Sequence, residues 1–287
     1  MIQILTKDHV ITPVITTFPD HTRKIELPPE IQIPNTGNLI IQWFYESDDE
    51  LVILQFLTMH LRNTGIKDIY LMMPYIPNAR MDRIESKHEV FTLKCFAQIL
   101  NSLAFKEVVC LDPHSHVSEA LIDRLTVVDE IPYNVNRAVE HASWNNENTI
   151  LYFPDEGAMK RYKNVASKLH MPYLFGMKNR DWKTGDIKGI QVLGDTDLLK
   201  TRKNLLIVDD ICSYGGTFYH SARAIKKLAP DAHIRLYITH CENSILKGNI
   251  FSSGLIEHVY TTNSLFHETH PDITVFNLNI TDDKLFA

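Results

Sequence analysis

Short apolar runs rich in β-branched residues recur along the chain, and amphipathic segments of helical length separate them. This alternation is typical of βαβ units, in which helices join parallel strands and pack on the sheet. The runs that predict strands cover residues 38–43, 68–73, 107–111, 149–153, 204–208 and 233–238. Apolar residues three and four positions apart predict helices at residues 47–63, 89–104, 155–169 and 217–228. Ser47 followed by Glu50 predicts a capping box at the first helix.

Several of these strands are apolar throughout, as expected when helices cover both faces of a sheet. The sequence therefore predicts an α/β protein with doubly wound parallel sheets. With 287 residues, the chain suits two domains of about 140 residues each. We place the change of domain within residues 131–144, which predicts an N-terminal domain over residues 1–135 and a C-terminal domain over residues 136–287.

Composition narrows the class of function. Hydrophobic residues make up 44% of the chain and charged residues 22%, the balance of a globular protein with a full core. The formal net charge of −6 gives no basic surface for holding nucleic acid by its phosphates. The 4 cysteines have no metal-ligand spacing, no secretion signal opens the chain, and no apolar run approaches the ~18 residues of a membrane span. We expect a cytoplasmic protein that binds neither nucleic acid nor a membrane.

The sequence NLLIVDDICSYGGTF carries the strongest functional signal. A buried strand ends in Asp209 and Asp210, and a glycine-containing loop then opens a helix. Ligands of open α/β sheets bind at the carboxyl ends of the strands, where loop amides and a helix N-terminus receive phosphate. Gly215 and Gly216 allow close backbone approach, and Thr217 offers a hydroxyl. The acids suit a ribose diol or Mg²⁺, so the segment indicates a sugar-phosphate site, although a bare Asp-Asp pair can also be a helix cap.

This segment resembles the signature shared by type I phosphoribosyltransferases and phosphoribosyl pyrophosphate synthetases, and two other segments favour the synthetases. YIPNARMDR is similar to their ATP-binding stretch, and LDPHSHVSEALID to their metal-and-nucleotide stretch. The resemblance implies two domains of the type I phosphoribosyltransferase kind. It also implies that Arg80, Asp82 and Arg83 bind ATP, and that Asp112 and His114 lie at Mg-ATP.

Three further segments match the synthetases in the same order. YFPDEGAMKR is similar to the segment that faces the ribose phosphate, so Asp155 is a candidate for binding ribose phosphate and metal. FGMKNR resembles the catalytic loop, which makes Lys178 and Arg180 the proposed stabilisers of the transition state. Phe18 and Asp20 correspond to an element near the adenine that a neighbouring subunit completes in synthetases. The resemblance thus implies a homo-oligomer with interfacial ATP sites.

The pattern departs from that family in the loop that would bind the 5-phosphate. Ser213 and Tyr214 stand where the synthetases have Asp and Thr, so the loop loses a charge and gains a ring. Thr22 replaces a Glu after the adenine element, and Met81 replaces a Gln in the ATP stretch. We expect ribose 5-phosphate as the acceptor. A larger ester of that phosphate, such as ADP-ribose, is the alternative, and diphosphorylating it would make an activated sugar of use in NAD metabolism.

Two other classes of protein are alternatives to a synthetase. A type I phosphoribosyltransferase would consume phosphoribosyl pyrophosphate and would lack an ATP site. The match of Arg80 and Arg83 to an ATP-binding segment argues against this class. A non-catalytic regulatory homologue would have lost its catalytic cations. The presence of Lys178 and Arg180 argues against this class. The favoured hypothesis is a diphosphotransferase that uses Mg-ATP.

Overall fold

The computed structural model describes residues 1–28, 38–180 and 187–278. Among these residues the chain divides into two compact units, Met1–Val128 and Asp129–Leu278. The predicted boundary between residues 135 and 136 lies a few residues further on, inside the helix Ile131–His141.

The first unit is built on a mixed sheet flanked by helices. Its strands are β1 (Ile2–Leu5), β2 (Val10–Ile11), β3 (Val14–Thr17), β4 (Arg23–Glu26), β5 (Leu39–Trp43), β6 (Ile69–Met72), β7 (Val108–Leu111) and β8 (Leu125–Val128). Its helices are α1 (Asp49–Asn63), α2 (Thr92–Ser102) and α3 (His116–Leu121). The six-stranded sheet has the order β2-β1-β5-β6-β7-β8, with β5 to β8 parallel and β1 antiparallel to β5. Strands β3 and β4 form a separate antiparallel hairpin.

The second unit carries a larger, mostly parallel sheet. Its strands are β9 (Thr149–Phe153), β10 (Tyr173–Arg180), β11 (Ile187–Leu193), β12 (Asn204–Cys212), β13 (His233–Cys241), β14 (His258–Thr262) and β15 (Ile273–Phe276). Its helices are α4 (Ile131–His141), α5 (Glu156–Lys168), α6 (Leu198–Thr201) and α7 (Gly216–Leu228). The seven-stranded sheet has the order β11-β10-β9-β12-β13-β14-β15, and among these described strands β11 alone runs antiparallel to its neighbour.

Strand β12 shows that the second sheet is covered on both faces. Leu205 and Ile207 belong to the apolar cluster that includes Ala222 and Ile225 of α7. The alternating residue Leu206 belongs to the opposite cluster, with apolar residues of α4 and α5. Because successive side chains of a strand point to opposite faces, the two clusters confirm the predicted doubly wound arrangement.

The predicted capping box at the first helix is wrong. The residue preceding α1 is Asp48, whose side chain makes no capping hydrogen bond. The Glu50 carboxylate instead accepts hydrogen bonds from the buried indole of Trp43, at 2.8 Å, and from the Glu46 amide, at 2.8 Å. A buried indole N–H needs an acceptor, and Glu50 supplies it.

Within the described ranges, no helix combines the length and apolar character that crossing a membrane would require.

Candidate functional site

The two acids singled out by the sequence lie at the carboxyl end of β12, in the interior of the second sheet. The strand continues past its predicted end, because it stays in register with β13 as far as the Cys212 and Cys241 pair. Asp209 and Asp210 are therefore held by sheet hydrogen bonds rather than by a loop. Asp210 is only 3% exposed, so its charge requires a partner.

Arg161 of α5 is that partner. Its Nη1 atom lies 3.0 Å from Oδ1 of Asp210, and the two side chains are 23% and 4% exposed. The guanidinium also lies over the ring of Tyr162, 5.5 Å from its centroid. An ion pair this well enclosed costs more to break than an exposed pair, because breaking it leaves a buried charge without compensation.

The surroundings of Asp209 shift the pKa of its carboxyl group. Burial raises the pKa of Asp209 well above its usual value, and the carboxylates of Asp210 and Asp155 raise it further against the lowering effect of Arg161. The site thus concentrates three carboxyl groups beside one guanidinium. Such crowding favours binding of a cation or of hydroxyl donors, which would relieve the repulsion between the acids.

Asp155 reaches this group from the neighbouring strand. It follows β9, which pairs in parallel with β12, and it is the N-cap of α5. Its Oδ1 atom accepts a hydrogen bond of 3.0 Å from the Ala158 amide. The sheet therefore brings Asp155, Asp209 and Asp210 to one edge, as their positions at strand ends predict.

The loop after β12 has the geometry of an anion site. Gly215 precedes α7 in the left-handed region, with φ of 78°, and it has no side chain to cap the helix. The first amides of α7 are therefore directed toward a ligand or solvent. Gly216 has open space where a Cβ atom would lie. Tyr214 is 61% exposed, so its ring stands out from the loop.

Lys178 and Arg180 lie on β10, next to β9 in the sheet. Strand β10 pairs with β11 in antiparallel fashion, and the register shifts between Asn179 and Arg180. The structure thus places these residues at the end of a strand that leads into residues 181–186, which lie outside the described ranges. Their roles stay predictions.

In the first unit, two of the predicted ATP-binding segments leave adjacent strands. The segment with Arg80 and Arg83 follows β6, and the one with Asp112 follows β7, its parallel neighbour. The Leu111 amide donates to the Pro74 carbonyl at 3.0 Å, which ties the two exits together. Asp112 is buried, 6% exposed, and has φ of 42°, a strained value for a residue other than glycine.

The other ATP candidates of this edge lie on or near the surface. Arg83 is paired loosely with Glu85 at 3.9 Å, with both side chains 78% exposed. Asp82 and His114 are half-buried, and Arg80 is exposed. The edge is therefore polar and open, in contrast to the enclosed acids of the second unit.

Phe18 and Asp20 lie in the turn between β3 and β4, whose hairpin is separate from the six-stranded sheet. Thr22 donates to Oδ1 of Asp20 through its amide, at 3.0 Å, and through its hydroxyl, at 2.7 Å. These hydrogen bonds hold the pKa of Asp20 below its usual value. Phe18 is 46% exposed, so the turn presents an aromatic ring beside a fixed carboxylate.

The predicted metal ligands are Asp112, His114 and Asp155. Among the described residues, no group of three or more His, Cys, Asp or Glu side chains is arranged to hold a metal ion. Mg²⁺ bound with a nucleotide needs few protein ligands, because phosphate oxygens and water fill most of its octahedral positions. The buried carboxylate of Asp112 at a strand end is a fitting single ligand of that kind.

Two features of the site were missed by sequence reasoning. Arg161 ends the matched segment YFPDEGAMKR, but its pairing with Asp210 depends on how α5 packs on β12. Gly176 of β10 lies so close to Pro154 that a Cβ atom would come within 2.6 Å of the Pro154 carbonyl oxygen. The motif gave a signal for the arginine, whereas no sequence signal marked the glycine.

Known proteins resemble this chain in sequence and in fold. No protein-family model matches the chain. The ribose-phosphate pyrophosphokinase of Saccharolobus solfataricus is 26% identical over 207 residues, covering 72% of this chain and 68% of that protein. The ribose-phosphate pyrophosphokinase of Sulfurisphaera tokodaii is 26% identical over 257 residues, covering 86% of this chain and 82% of its own length.

A solved structure extends the likeness to the fold. The phosphoribosylpyrophosphate synthetase of Mycobacterium smegmatis matches with a TM-score of 0.76 and 18% identity, covering 94% of this chain and 87% of that one. This likeness shows that the chain has the fold of that structure, an α/β fold with largely parallel sheets. In sequence, the chain is similar to ribose-phosphate pyrophosphokinases, which are diphosphotransferases.

Proposed function

We propose that this protein transfers diphosphate from Mg-ATP to the C1 hydroxyl of ribose 5-phosphate, giving phosphoribosyl pyrophosphate and AMP. The observation that carries the proposal is the edge of the second sheet, where Asp209 and Asp210 precede a glycine loop at a helix N-terminus. Relatives named ribose-phosphate pyrophosphokinases support the same activity.

The chemistry requires no covalent enzyme intermediate. The C1 hydroxyl oxygen attacks the β-phosphorus of ATP, the bond from that phosphorus to the α,β-bridging oxygen breaks, and the hydroxyl proton is lost. AMP leaves with the bridging oxygen. Catalysis of such a transfer consists mainly of positioning and of neutralising charge.

The residues of the second unit would hold the acceptor. Asp209 and Asp210 accept hydrogen bonds from the ribose diol, which offsets the burial and the carboxylate repulsion that raise the pKa of Asp209. Backbone amides of residues 213–217 bind the 5-phosphate, helped by the Ser213 and Thr217 hydroxyls. Asp155 faces the same group of acids.

The remaining candidates would act on ATP. Arg80 and Arg83 contact its phosphates, with Asp82 nearby, and Phe18 and Asp20 contact its adenine in a homo-oligomer with interfacial sites. Lys178 and Arg180 stabilise the charge that develops on the transferred group. Asp112 and His114 would hold Mg²⁺, which would neutralise charge on the phosphates. We place this enzyme in the cytoplasm.

One observation favours ADP-ribose as a second candidate acceptor. Tyr214 is 61% exposed in the loop that would bind the 5-phosphate, and Ser213 brings no charge there. A ring beside an uncharged loop can accommodate a substituent on the phosphate, and an aromatic face can stack with a base. The product would then be the pyrophosphate of ADP-ribose, a reactant suited to NAD metabolism.

The test is an incubation of the purified protein with Mg-ATP and, separately, ribose 5-phosphate or ADP-ribose. AMP release and a diphosphate gain in product mass on ribose 5-phosphate support the first acceptor, and the same gain on ADP-ribose alone supports the second. Absence of AMP with both acceptors would reject diphosphate transfer and favour a phosphoribosyltransferase or a non-catalytic homologue. Lys178→Ala serves as the inactive control.

A further inference from the structure

A close contact under the phosphate loop involves a glycine that backbone geometry does not require. Gly248 follows a short 3₁₀ helix, Asn243–Lys247, and has φ of −91° and ψ of −171°, values that any residue can adopt. A Cβ atom at this position would lie 1.9 Å from the carbonyl oxygen of Tyr214 and 2.9 Å from its carbonyl carbon. Glycine is therefore needed here for space alone, because the chain passes directly against the loop.

The same segment contacts the loop at two further points. Gly215 packs against Ile250, since a Cβ atom on Gly215 would lie 2.5 Å from Cγ1 of the isoleucine. The Glu242 amide donates a hydrogen bond of 2.8 Å to the Cys212 carbonyl at the end of β12. Residues 242–250, which we call the buttress, thus contact both ends and the middle of the loop.

The buttress has little room to yield. Ile245 and Ile250 are each 0% exposed, and Cys212 is 1% exposed. These side chains belong to one apolar cluster of the second unit. Because protein interiors are close-packed, the two buried isoleucines limit how far the more exposed residues between them can shift. We therefore expect a side chain at position 248 to displace the Tyr214 carbonyl, which lies directly against it.

We propose that the buttress sets the position of the phosphate loop and that Gly248 is a positioning residue for binding the acceptor. The inference rests on the proposed function, in which this loop holds the 5-phosphate. The buttress fixes the loop amides for the phosphate. A displacement of the loop weakens the acceptor site and leaves the nucleotide residues of the first unit unchanged.

The experiment is Gly248→Ala, with steady-state kinetics for both substrates. A misplacement of about 1 Å in a binding site can lower the rate up to about a hundredfold. We therefore expect the KM for the acceptor to rise about ten- to a hundredfold. The KM for Mg-ATP stays within about twofold, a split that a general loss of folded protein does not produce. Ser252→Ala, an exposed change shortly after the buttress, is the control and leaves both values unchanged.

A second variant covers the case in which Gly248→Ala does not fold. Ile250→Val removes one buried methyl group near Gly215, a change that cores usually tolerate. It loosens the loop and raises the acceptor KM several-fold, again without a matching change for Mg-ATP. Unchanged acceptor KM in either folded variant, or equal changes in both KM values, would overturn the positioning role.

Direct binding separates this inference from the proposed activity. Calorimetric titration with ribose 5-phosphate, and with ADP-ribose in parallel, measures the acceptor site without any turnover. If the wild-type protein binds one of them but releases no AMP, the activity proposal fails, and weaker binding by Gly248→Ala still supports the positioning role. Equal binding by both proteins, or no binding by the wild-type protein, would contradict it.

Discussion

The sheet edges of the two units differ in how far their charged side chains are buried and paired. At the edge of the second unit, Asp210 is 3% exposed and pairs with Arg161, while burial and the neighbouring carboxylates raise the pKa of Asp209. At the edge of the first unit, Arg83 is 78% exposed and only loosely paired. The proposed residues for a small sugar phosphate are thus largely buried, whereas most proposed residues for a highly charged nucleotide lie at or near the surface.

The difference teaches where stability and function are coupled. Buried charges that hold one another contribute to the fold and to the site together, so their removal affects both. Exposed cations contribute little to folding and can be devoted to a ligand. Asp112 is the exception in the first unit, because it is buried at a strained φ of 42°.

The largest effect is expected from Lys178→Ala, which tests whether the second unit also holds a residue used only for catalysis. We expect kcat to fall about 100- to 1,000-fold, because charge stabilisation of the transition state is lost. The thermal midpoint should not change. The control is Lys200→Ala, since Lys200 is an exposed lysine of the same unit paired with Asp197. Wild-type turnover in Lys178→Ala would remove the residue from the mechanism.

Arg161→Ala tests directly whether the buried ion pair at the edge of the second unit stabilises the fold. Its loss removes the cation that faces the buried Asp210 carboxylate and should lower the free energy of unfolding by about 3 kcal/mol. Urea denaturation measures this cost. Combining the change with Asp210→Asn removes the buried negative charge and should recover part of the stability. A cost below about 0.5 kcal/mol would show that water replaces the guanidinium, and the edge would then not be preorganised.

Arg83→Ala is the matching change in the first unit. Because this arginine is exposed, the free energy of unfolding should change by less than about 0.5 kcal/mol. The KM for Mg-ATP should nevertheless rise about tenfold, as expected when one charged hydrogen bond to phosphate is lost. Lys87→Ala, an exposed change in the same loop, is the control for a general effect of charge. A stability cost as large as that of Arg161→Ala would break the comparison between the two edges.

The smallest effect concerns the pH dependence of stability at Asp209. Its pKa is raised in the folded protein, so the folded state binds more protons than the unfolded state between the usual value of 3.8 and the raised one. Stability therefore falls as pH rises through that window, and the loss is complete above the folded pKa. Asp209→Asn removes this penalty, so its thermal midpoint should exceed that of the wild-type protein by a few degrees at neutral pH. The gap should close as the pH approaches 3.8. A gap independent of pH would contradict the raised pKa.

Sequence reasoning was most successful where a signal is local. Apolar runs located the central strands, and β9 has the predicted bounds, Thr149–Phe153. It was less successful at strand ends. Strands β12 and β13 continue past their predicted ends, residues 208 and 238, through mutual hydrogen bonds that neither segment reveals alone. The capping box failed for a similar reason, since the buried Trp43 indole competes for Glu50.

The sequence by itself determined the α/β class, the family resemblance and the position of Asp209 and Asp210 before a glycine loop. These depend on local periodicity and on residues adjacent in the chain. Only the tertiary structure decided that Arg161 neutralises Asp210, and that Gly248 must lack a side chain because the Tyr214 carbonyl occupies its space. Both contacts join residues more than thirty positions apart, and only the packing of helices and loops on the sheet brings such residues together.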